Sequence, residues 1–257
     1  MTYADEQIKQ FEKEYFKVHH GLQDLMLKTV VAGQESNHSG VREHLLHGVS
    51  RRLNVINKSM ENIFRDFSPA TTRPLDKEVL YDVQINLHAY MMNLYGIFDN
   101  WAWAFVYNHE LLEKVGGKHG VGLFRENTTK HLPKSLRDYL STGTMIDWHE
   151  KYLKSHRDAL AHRIPLYIPP AEFTPAEGEL YNKLESEKIT LIKSMDWQRL
   201  DEVYEEQARV GGPSFVFLHS YEEGSPQPIL FHPQLLCDGA AIVEFGSLYM
   251  DNWNEIA

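Results

Sequence analysis

The sequence contains very little cysteine, because Cys237 is the only one among 257 residues. This excludes an intramolecular disulfide and a cysteine-based zinc cluster. A single cysteine is typical of a reducing compartment, and the first residues are charged and contain no apolar segment of a signal peptide. No stretch of about 20 residues is free of polar side chains, which argues against a membrane-spanning helix. We therefore expect a cytoplasmic protein that does not enter a membrane.

Positive charge is also scarce. The chain has 26 lysine and arginine residues against 36 aspartate and glutamate residues, a net charge of −10, which argues against a generic nucleic-acid binder. The charge is uneven, because residues 118–163 contain nine basic and five acidic residues, a net +4, and five of the 14 histidines. The rest of the chain therefore carries −14. We expect a site for an anion to lie in the basic stretch 118–163.

Several catalytic and nucleotide-binding signatures are missing too. The sequence has no phosphate loop of the form GxxxxGK[ST], no GxGxxG after a predicted strand and no GxSxG elbow. The glycines of GGKHGVG, residues 116–122, follow no predicted strand and are interpreted as a connection between helices. These absences argue against P-loop, dinucleotide-binding and α/β-hydrolase chemistry.

Apolar residues spaced by three and four positions dominate the rest of the chain, and this pattern predicts helices. We predict helices over residues 4–31, 41–67, 75–115, 132–140, 145–162, 177–210 and 235–254, and strands over 214–218 and 229–231. The two strands are expected to form a small hairpin around the sequence EEGSPQ. Residues 1–257 are thus predicted to form one mainly helical domain. Its core lies at about 75–170, and a long acidic helix, the hairpin and a closing helix occupy 177–257.

The sharpest local feature is RDALAH, from Arg157 to His162, at the end of a predicted helix that the proline-rich segment IPLYIPP stops. Arginine stays charged and binds phosphate oxygens with its planar guanidinium, while histidine exchanges a proton near neutral pH. The pair therefore suits phosphodiester chemistry. The alternative is structural, since cationic side chains in the last turn stabilise a helix through its dipole.

Helix geometry limits how this motif can work. Arg157 and His162 are five residues apart, which places them about 140° apart around a helix. Asp158 and His162 are four residues apart, share a helix face and can pair. For Arg157 and His162 to act together, the arginine must reach around the helix, the helix end must unwind, or a second copy of the chain must contribute.

The motif resembles that of the HEPN superfamily (higher eukaryotes and prokaryotes nucleotide-binding). In that motif an arginine, a polar residue and, a few positions later, a histidine lie on the last long helix of a compact bundle. The longer segment HRDALAHRIPLYIPP and the earlier NLYGIFDNWAW are similar to an uncharacterised bacterial branch of that superfamily. The resemblance covers about residues 75–170. It implies a HEPN-like helical bundle and a homodimer formed through the motif helices.

For active members of the superfamily, the resemblance implies metal-independent cleavage of RNA without a cofactor. The 2′-hydroxyl attacks its own phosphorus and leaves a 2′,3′-cyclic phosphate. His162 would then exchange a proton, Arg157 would hold the phosphate and Asp158 would orient the pair. Other members only bind a nucleotide, RNA or a protein partner, so membership does not decide between a ribonuclease and a non-catalytic binding module.

A second feature is a polar stripe on the predicted helix 75–115. Its members fall within about 40° of one line along the helix: Asp82, Asn86, Ala89, Asn93, Gly96 and Asn100. The asparagines either line a ligand cleft or fix the register of closely packed helices. Asp99 lies beside the stripe and needs a cationic partner, for which we expect Arg157 or Arg163. The candidates for ligand binding or support are Asn93, Asp99, Asn100, Lys154 and Arg163.

The 14 histidines raise a third possibility, a metal-binding helical-bundle enzyme. His44 and His47 are three residues apart on one predicted helix. The sequence has no HExxH and no paired Glu-x-x-His motifs, however, and most histidines lie among charged residues, where we expect them to be solvated. No metal ligand is therefore assigned. Cys237 is expected to be a buried residue of the closing helix rather than a nucleophile.

Overall fold

The computed structural model describes residues 2–218 and 228–257. These residues form a mainly helical protein with a small antiparallel hairpin near the C-terminus, as predicted. The longer helices are α1 (Asp5–Glu35), α3 (Ser50–Asp66), α4 (Lys77–Asn108), α8 (Lys154–His162), α9 (Pro175–Ser194), α10 (Trp197–Ala208) and α11 (Phe231–Asp251). The shorter ones are α2 (Ser39–Arg42), α5 (Glu126–Thr129), α6 (Lys134–Leu140) and α7 (Gly143–Ile146).

Helices α1, α3, α4 and α11 build the bundle around one core. α1 packs against α3 and α11, and α3 packs along α4. Trp101 of α4 is fully buried, and its carbonyl accepts a 2.8 Å hydrogen bond from the hydroxyl of Tyr249 in α11. Tyr90 of α4 is also fully buried and donates a 2.6 Å hydrogen bond to the carbonyl of Leu235. α4 is therefore the central helix, as its mostly apolar sequence predicts.

The predicted helix 41–67 exists but is built from three continuous parts. α2 leads into a π-helical stretch, Glu43–Val49, which leads into α3. Leu45 and Val49 stay fully buried within the π-helical stretch. The wider turn therefore changes the local helix geometry without taking these side chains out of the core.

The central helix α4 is shorter than predicted, since it ends at Asn108 rather than near residue 115. The chain turns at Glu110, which has φ +52°, and again at Gly116 and Gly117, with φ +83° and +74°. Leu111 and Val115 are nevertheless fully buried within this turn. Their burial explains why the apolar periodicity continues past the end of the helix.

The motif helix ends at His162, as predicted, but begins at Gly143 rather than Met145. The hydroxyl of Thr142 accepts a hydrogen bond from the backbone N–H of Met145, which caps the start of α7. A second π-helical stretch, Asp147–Leu153, joins α7 to α8, and α8 ends at His162 before the proline-rich segment. Side chains of this continuous helix line two different clefts.

The prediction of one acidic helix over 177–210 is wrong. The chain forms two helices, α9 and α10, which pack against each other as a helical hairpin. Met195 adopts φ +58°, which ends α9, and the carboxylate of Asp196 caps α10 by accepting from the backbone N–H of Arg199. The hairpin has its own small cluster of buried side chains, Leu184, Val203 and Val210.

The C-terminal hairpin consists of β1 (Val216–Phe217) and β2 (Ile229–Leu230), paired antiparallel. Its predicted turn, EEGSPQ at residues 222–227, lies outside the described residues. β2 leads directly into α11, which replaces the closing helix predicted over 235–254. Within residues 2–218 and 228–257, none of the helices combines the length and apolar character needed to cross a membrane.

Candidate functional site

The motif arginine faces the central helix. The guanidinium of Arg157 lies over the ring of Tyr95 in α4, with Cζ 4.4 Å from the ring centroid. Its Nη1 is 3.0 Å from a carboxylate oxygen of Asp158. The Nε of Arg157 is buried and has no hydrogen-bond partner among the described residues. Arg157 is thus held in place by a ring and an adjacent carboxylate, with one donor left over.

The motif histidine faces outward. His162 is exposed in the last turn of α8, and its imidazole makes no hydrogen bond to another described residue. The chain after α8 runs back along α4, where Nε2 of His88 donates to the carbonyl of Leu166 at 2.9 Å. Five residues separate His162 from Arg157, which places the two side chains about 140° apart around α8.

The predicted pairing of Asp158 with His162 does not occur. The two residues share a helix face, but the carboxylate of Asp158 turns to the neighbouring guanidinium of Arg157. An arginine forms a stronger, permanently charged partner for a carboxylate than an exposed imidazole does. Within one chain, Asp158 therefore acts on Arg157, and the structure does not bring it to His162.

Asp99 lies one helical turn beyond Tyr95 on α4 and is surrounded by arginines. Burial raises the pKa of its carboxyl, and the positive charges of Arg52, Arg157 and Arg125 oppose this rise. Asp99 is nevertheless exposed, so its carboxyl lies at the protein surface and is only partly covered by its neighbours. No described lysine or arginine comes within 4 Å of it as an ion pair. Arg157 is thus one of three nearby arginines, and Arg52 and Arg125 are the two that were not predicted.

A polar cleft of about 330 Å³ opens beside Asp99. Its wall is formed by α4, by the loop before α5 and by the start of the motif helix, and its polar members are Asp99, Arg125, His149, Glu150 and Lys154. The ring of Phe124 stacks on His149 with centroids 3.7 Å apart, and Tyr95 stacks near the same imidazole at 5.1 Å. Cationic side chains and aromatic rings therefore line one small cleft next to Arg157.

Two of the charged groups in this cleft already have partners. Glu150 accepts from Nδ1 of His149 at 2.9 Å and from Nζ of Lys154 at 3.3 Å. Burial lowers the pKa of His149, which keeps its imidazole uncharged at neutral pH, although Glu150 opposes the shift. Arg163 is exposed outside the cleft and forms the C-cap of α8. Of the predicted support residues, Lys154 and Asp99 thus lie in the cleft and Arg163 does not.

The asparagine stripe of α4 faces α3 rather than the polar cleft. Nε and Nη1 of Arg52 in α3 donate to Oδ1 of Asn100 at 2.7 Å and to Oδ1 of Asn93 at 3.1 Å. Gly96 lies between these asparagines, and a Cβ atom there would be 2.6 Å from Cζ of Arg52. The small residue therefore makes room for a guanidinium. The stripe therefore does not line a ligand cleft. Its asparagines fix the packing of α4 against α3.

This network extends to a histidine of the π-helical stretch. Nδ2 of Asn100 donates to Nδ1 of His44 at 3.2 Å, and the ring of His44 stacks on Trp103. Burial lowers the pKa of His44, with Glu43 opposing the shift, so its ring nitrogen is free to accept. The carboxamides of Asn93 and Asn100 are thus occupied by protein partners.

The expectation that most histidines are solvated is wrong for three of them. His149, His156 and His232 are buried, because each ring packs against aromatic neighbours despite charged residues nearby in sequence. Cys237 departs from expectation in the other direction and is exposed on α11. Among residues 2–218 and 228–257, no three His, Cys, Asp or Glu side chains form a cluster suited to a metal ion.

Sequence reasoning missed most members of the polar cleft, among them Tyr95, Phe124, Arg125, His149 and Glu150. Arg125, His149 and Glu150 belong to the basic stretch 118–163, so the charge count pointed to their region. No short motif marks them individually, since they come from a loop and a helix that only the fold brings together.

Comparisons of the chain with protein-family models, with curated proteins and with solved structures find no match. The function is therefore argued from the chemistry of the site alone. That chemistry comprises a fixed arginine beside a polar cleft that holds both cations and carboxylates, and an exposed histidine on another side of the same helix.

Proposed function

We propose that the chain is a HEPN-like ribonuclease that cleaves RNA without a metal and acts as a homodimer. The observation that carries the proposal is the arrangement on α8, where Arg157 is fixed over Tyr95 and His162 is exposed. The Arg157 side chain is 26% exposed and its guanidinium suits a phosphate oxygen, while the exposed imidazole of His162 suits proton transfer to or from RNA. The two groups point to different sides of one helix, so a second copy is needed to complete a composite site.

An apolar face beside His162 supports the homodimer. Tyr81, Ile85 and Met92 are exposed and lie on one stripe of α4, at spacings of four and seven residues. The segment after α8 runs along this stripe and contributes the exposed Ile164. Ile85 and Ile164 are 63% and 60% exposed. A second copy covering this face would bury apolar surface and bring its own motif helix to His162.

In the proposed reaction, His162 removes the proton from a ribose 2′-hydroxyl as the oxygen attacks the adjacent phosphorus. The bond from phosphorus to the 5′-oxygen breaks, and the leaving oxygen takes a proton from an acid of the site or from water. Arg157 of one copy holds the non-bridging phosphate oxygens, and Asp158 keeps its guanidinium in position. The products are a 2′,3′-cyclic phosphate and a 5′-hydroxyl.

The test compares purified wild type, His162→Ala and His20→Ala on end-labelled mixed RNA in EDTA. His20 is an exposed histidine of α1 and serves as the matched control. Wild type and His20→Ala should cleave and leave cyclic-phosphate ends. His162→Ala should lose about 10²–10⁴-fold in rate, the usual contribution of acid–base catalysis by a side chain. Wild-type rates for His162→Ala, or cleavage that EDTA abolishes, would refute the proposal.

A separate variant tests the homodimer. Ile85→Asp places a charge on the exposed apolar stripe without touching the core. We expect this protein to stay folded by circular dichroism, to sediment as a monomer and to lose cleavage. A dimeric wild type whose Ile85→Asp variant remains dimeric and active would show that this face does not form the interface.

A non-catalytic binding module is the second candidate, and the polar cleft favours it. Arg125, Lys154 and Arg157 provide cations for phosphate, and Phe124 provides a ring for a base. A nucleotide or a short RNA would fit such a lining without turnover. Retained RNA affinity in wild type with no cleavage products, lowered by Arg125→Gln, would identify the binding module instead.

A further inference from the structure

A second cleft lies on the opposite side of the motif helix from the polar cleft. It has a volume of about 490 Å³ and is enclosed by α6, α7, the π-helical stretch of the motif helix and α11. The side chains that matter for its chemistry are Tyr139, Thr144, Met145, Trp148, Cys237 and Glu244. This volume lies within the range of ordinary small-molecule sites, and the lining is mostly apolar.

The charge of this cleft has one sign. Glu244 is its ionisable carboxylate, and none of the described residues that line it is a lysine, arginine or histidine. The pKa of Tyr139 is raised to about 12, mainly by burial and then by the charge of Glu244 and the hydrogen bond with it. The acidic group therefore sits against an aromatic side chain within the cleft.

A second, buried carboxyl group, that of Asp238, lies behind the lining of this cleft. Asp238, fully buried in α11, accepts from Nε1 of Trp148 at 2.8 Å and from the hydroxyl of Tyr152 at 2.8 Å. Gln234 supplies a third donor at 2.8 Å. No lysine or arginine of the described chain forms an ion pair with Asp238. Its charge, when ionised, is therefore balanced only by dipoles.

The link between Trp148 and Asp238 matters for the cleft, because the same indole both lines the cleft and donates to the carboxylate. Aromatic rings attract cations through the negative face of their π-system, and Trp does so most strongly. The carboxyl of Asp238, bonded to the indole N–H, adds negative charge at the edge of the ring when it is ionised. A cation next to Trp148 would therefore be attracted by the ring, by Asp238 and by Glu244 together.

We propose that this second cleft binds a small organic cation with an apolar body, of the alkyl- or aryl-ammonium class. An anion would meet the carboxylate of Glu244 and no cationic side chain in the lining. A bare metal ion would find a single carboxylate in the lining, and the hydroxyl of Thr142 is already bonded to the carbonyl of Tyr139. An ammonium group with apolar substituents matches the rings, the methionine and the carboxylate of the lining.

The test uses choline as the probe and 3,3-dimethylbutan-1-ol as its neutral counterpart of nearly the same shape. Binding to the full-length protein is followed by ligand-observed NMR titration at pH 8. We expect saturable binding of choline, about tenfold tighter than that of the neutral alcohol, since the difference isolates the charge. Equal binding of the two compounds, or no binding of choline to folded protein at 10 mM, about the weak limit for a specific site, would overturn the proposal.

Two variants and one modification locate the binding. Glu244→Gln should weaken choline binding about tenfold, while Asp251→Asn, a change of an exposed acid on the same helix, should leave it unchanged. Alkylation of Cys237, the only cysteine, with N-ethylmaleimide should block the cleft and abolish binding. Undiminished binding to the Glu244→Gln variant or to the alkylated protein would place choline elsewhere and overturn the proposal. None of these outcomes depends on RNA cleavage.

Discussion

The buried carboxyl of Asp238 leads to a specific prediction about stability and pH. The side chain is fully buried and accepts three hydrogen bonds, from Trp148, Tyr152 and Gln234. Burial raises its pKa from the ordinary 3.8 of an aspartate to about 7, although the three donors oppose the rise. Burial outweighs the donors because a charge in the core loses its hydration and has no cationic partner.

The sign and size of the effect follow from proton linkage. Between pH 4 and pH 7 the native state holds a proton on Asp238 that the unfolded chain releases, so stability falls as pH rises. With a native pKa of about 7, this group should lower the free energy of unfolding by about 3 kcal/mol between pH 5 and pH 8. The contribution is largest at low pH and is lost above pH 7.

Asp238→Asn provides the comparison that isolates this group. Asparagine has nearly the same shape, keeps a carbonyl oxygen for Trp148 and does not titrate. Urea denaturation of both proteins should be measured at half-unit intervals from pH 5 to pH 8.5. The difference in free energy of unfolding, wild type minus variant, should fall by about 3 kcal/mol over this range, since other titrating groups cancel.

A constant difference across the pH range would refute the reasoning, because it would mean that Asp238 does not change its charge there. A difference that rises with pH would refute it more directly. In that case the three hydrogen-bond donors would stabilise the carboxylate more than burial destabilises it.

Two further predictions concern backbone positions. Gly96→Ala should lower the free energy of unfolding by about 1–2 kcal/mol, because the new Cβ would displace Arg52 from Asn93 and Asn100. Urea denaturation measures this, and an unchanged midpoint would show that Arg52 relocates without cost. Met195→Gly should raise the melting temperature, since φ +58° costs a non-glycine residue about 1 kcal/mol. A lower melting temperature would show that the Met195 side chain contributes more than the strain.

Local rules succeeded where neighbouring residues decide the structure. The proline-rich segment predicted the end of the motif helix, and α8 ends at His162. The same rules failed within residues 177–210, because a break of two residues, Met195 and Asp196, interrupts a pattern that predicts one helix. They also extended α4 too far, since Leu111 and Val115 are buried without being helical.

Local sequence likewise predicted the arrangement of some functional residues and not that of others. The spacing of Arg157 and His162 by itself separates the two side chains around the helix, and the structure has them on different sides of α8. The partners of the asparagine stripe could not be predicted, because Arg52 lies 41 residues before Asn93 and reaches it only when α3 packs on α4. The arginines around Asp99 likewise come from three separate parts of the chain.

The sequence by itself determined the helical class, the small hairpin, the motif and the basic stretch that supplies one wall of the polar cleft. These depend on periodicity, on proline and capping residues, and on charge, all of which act over a few residues. Only the tertiary structure decided that Asp158 turns to Arg157, that His149 is buried and that Cys237 is exposed. Burial and pairing depend on which elements meet across the core. Those contacts join residues far apart in the chain, and no local spacing records them.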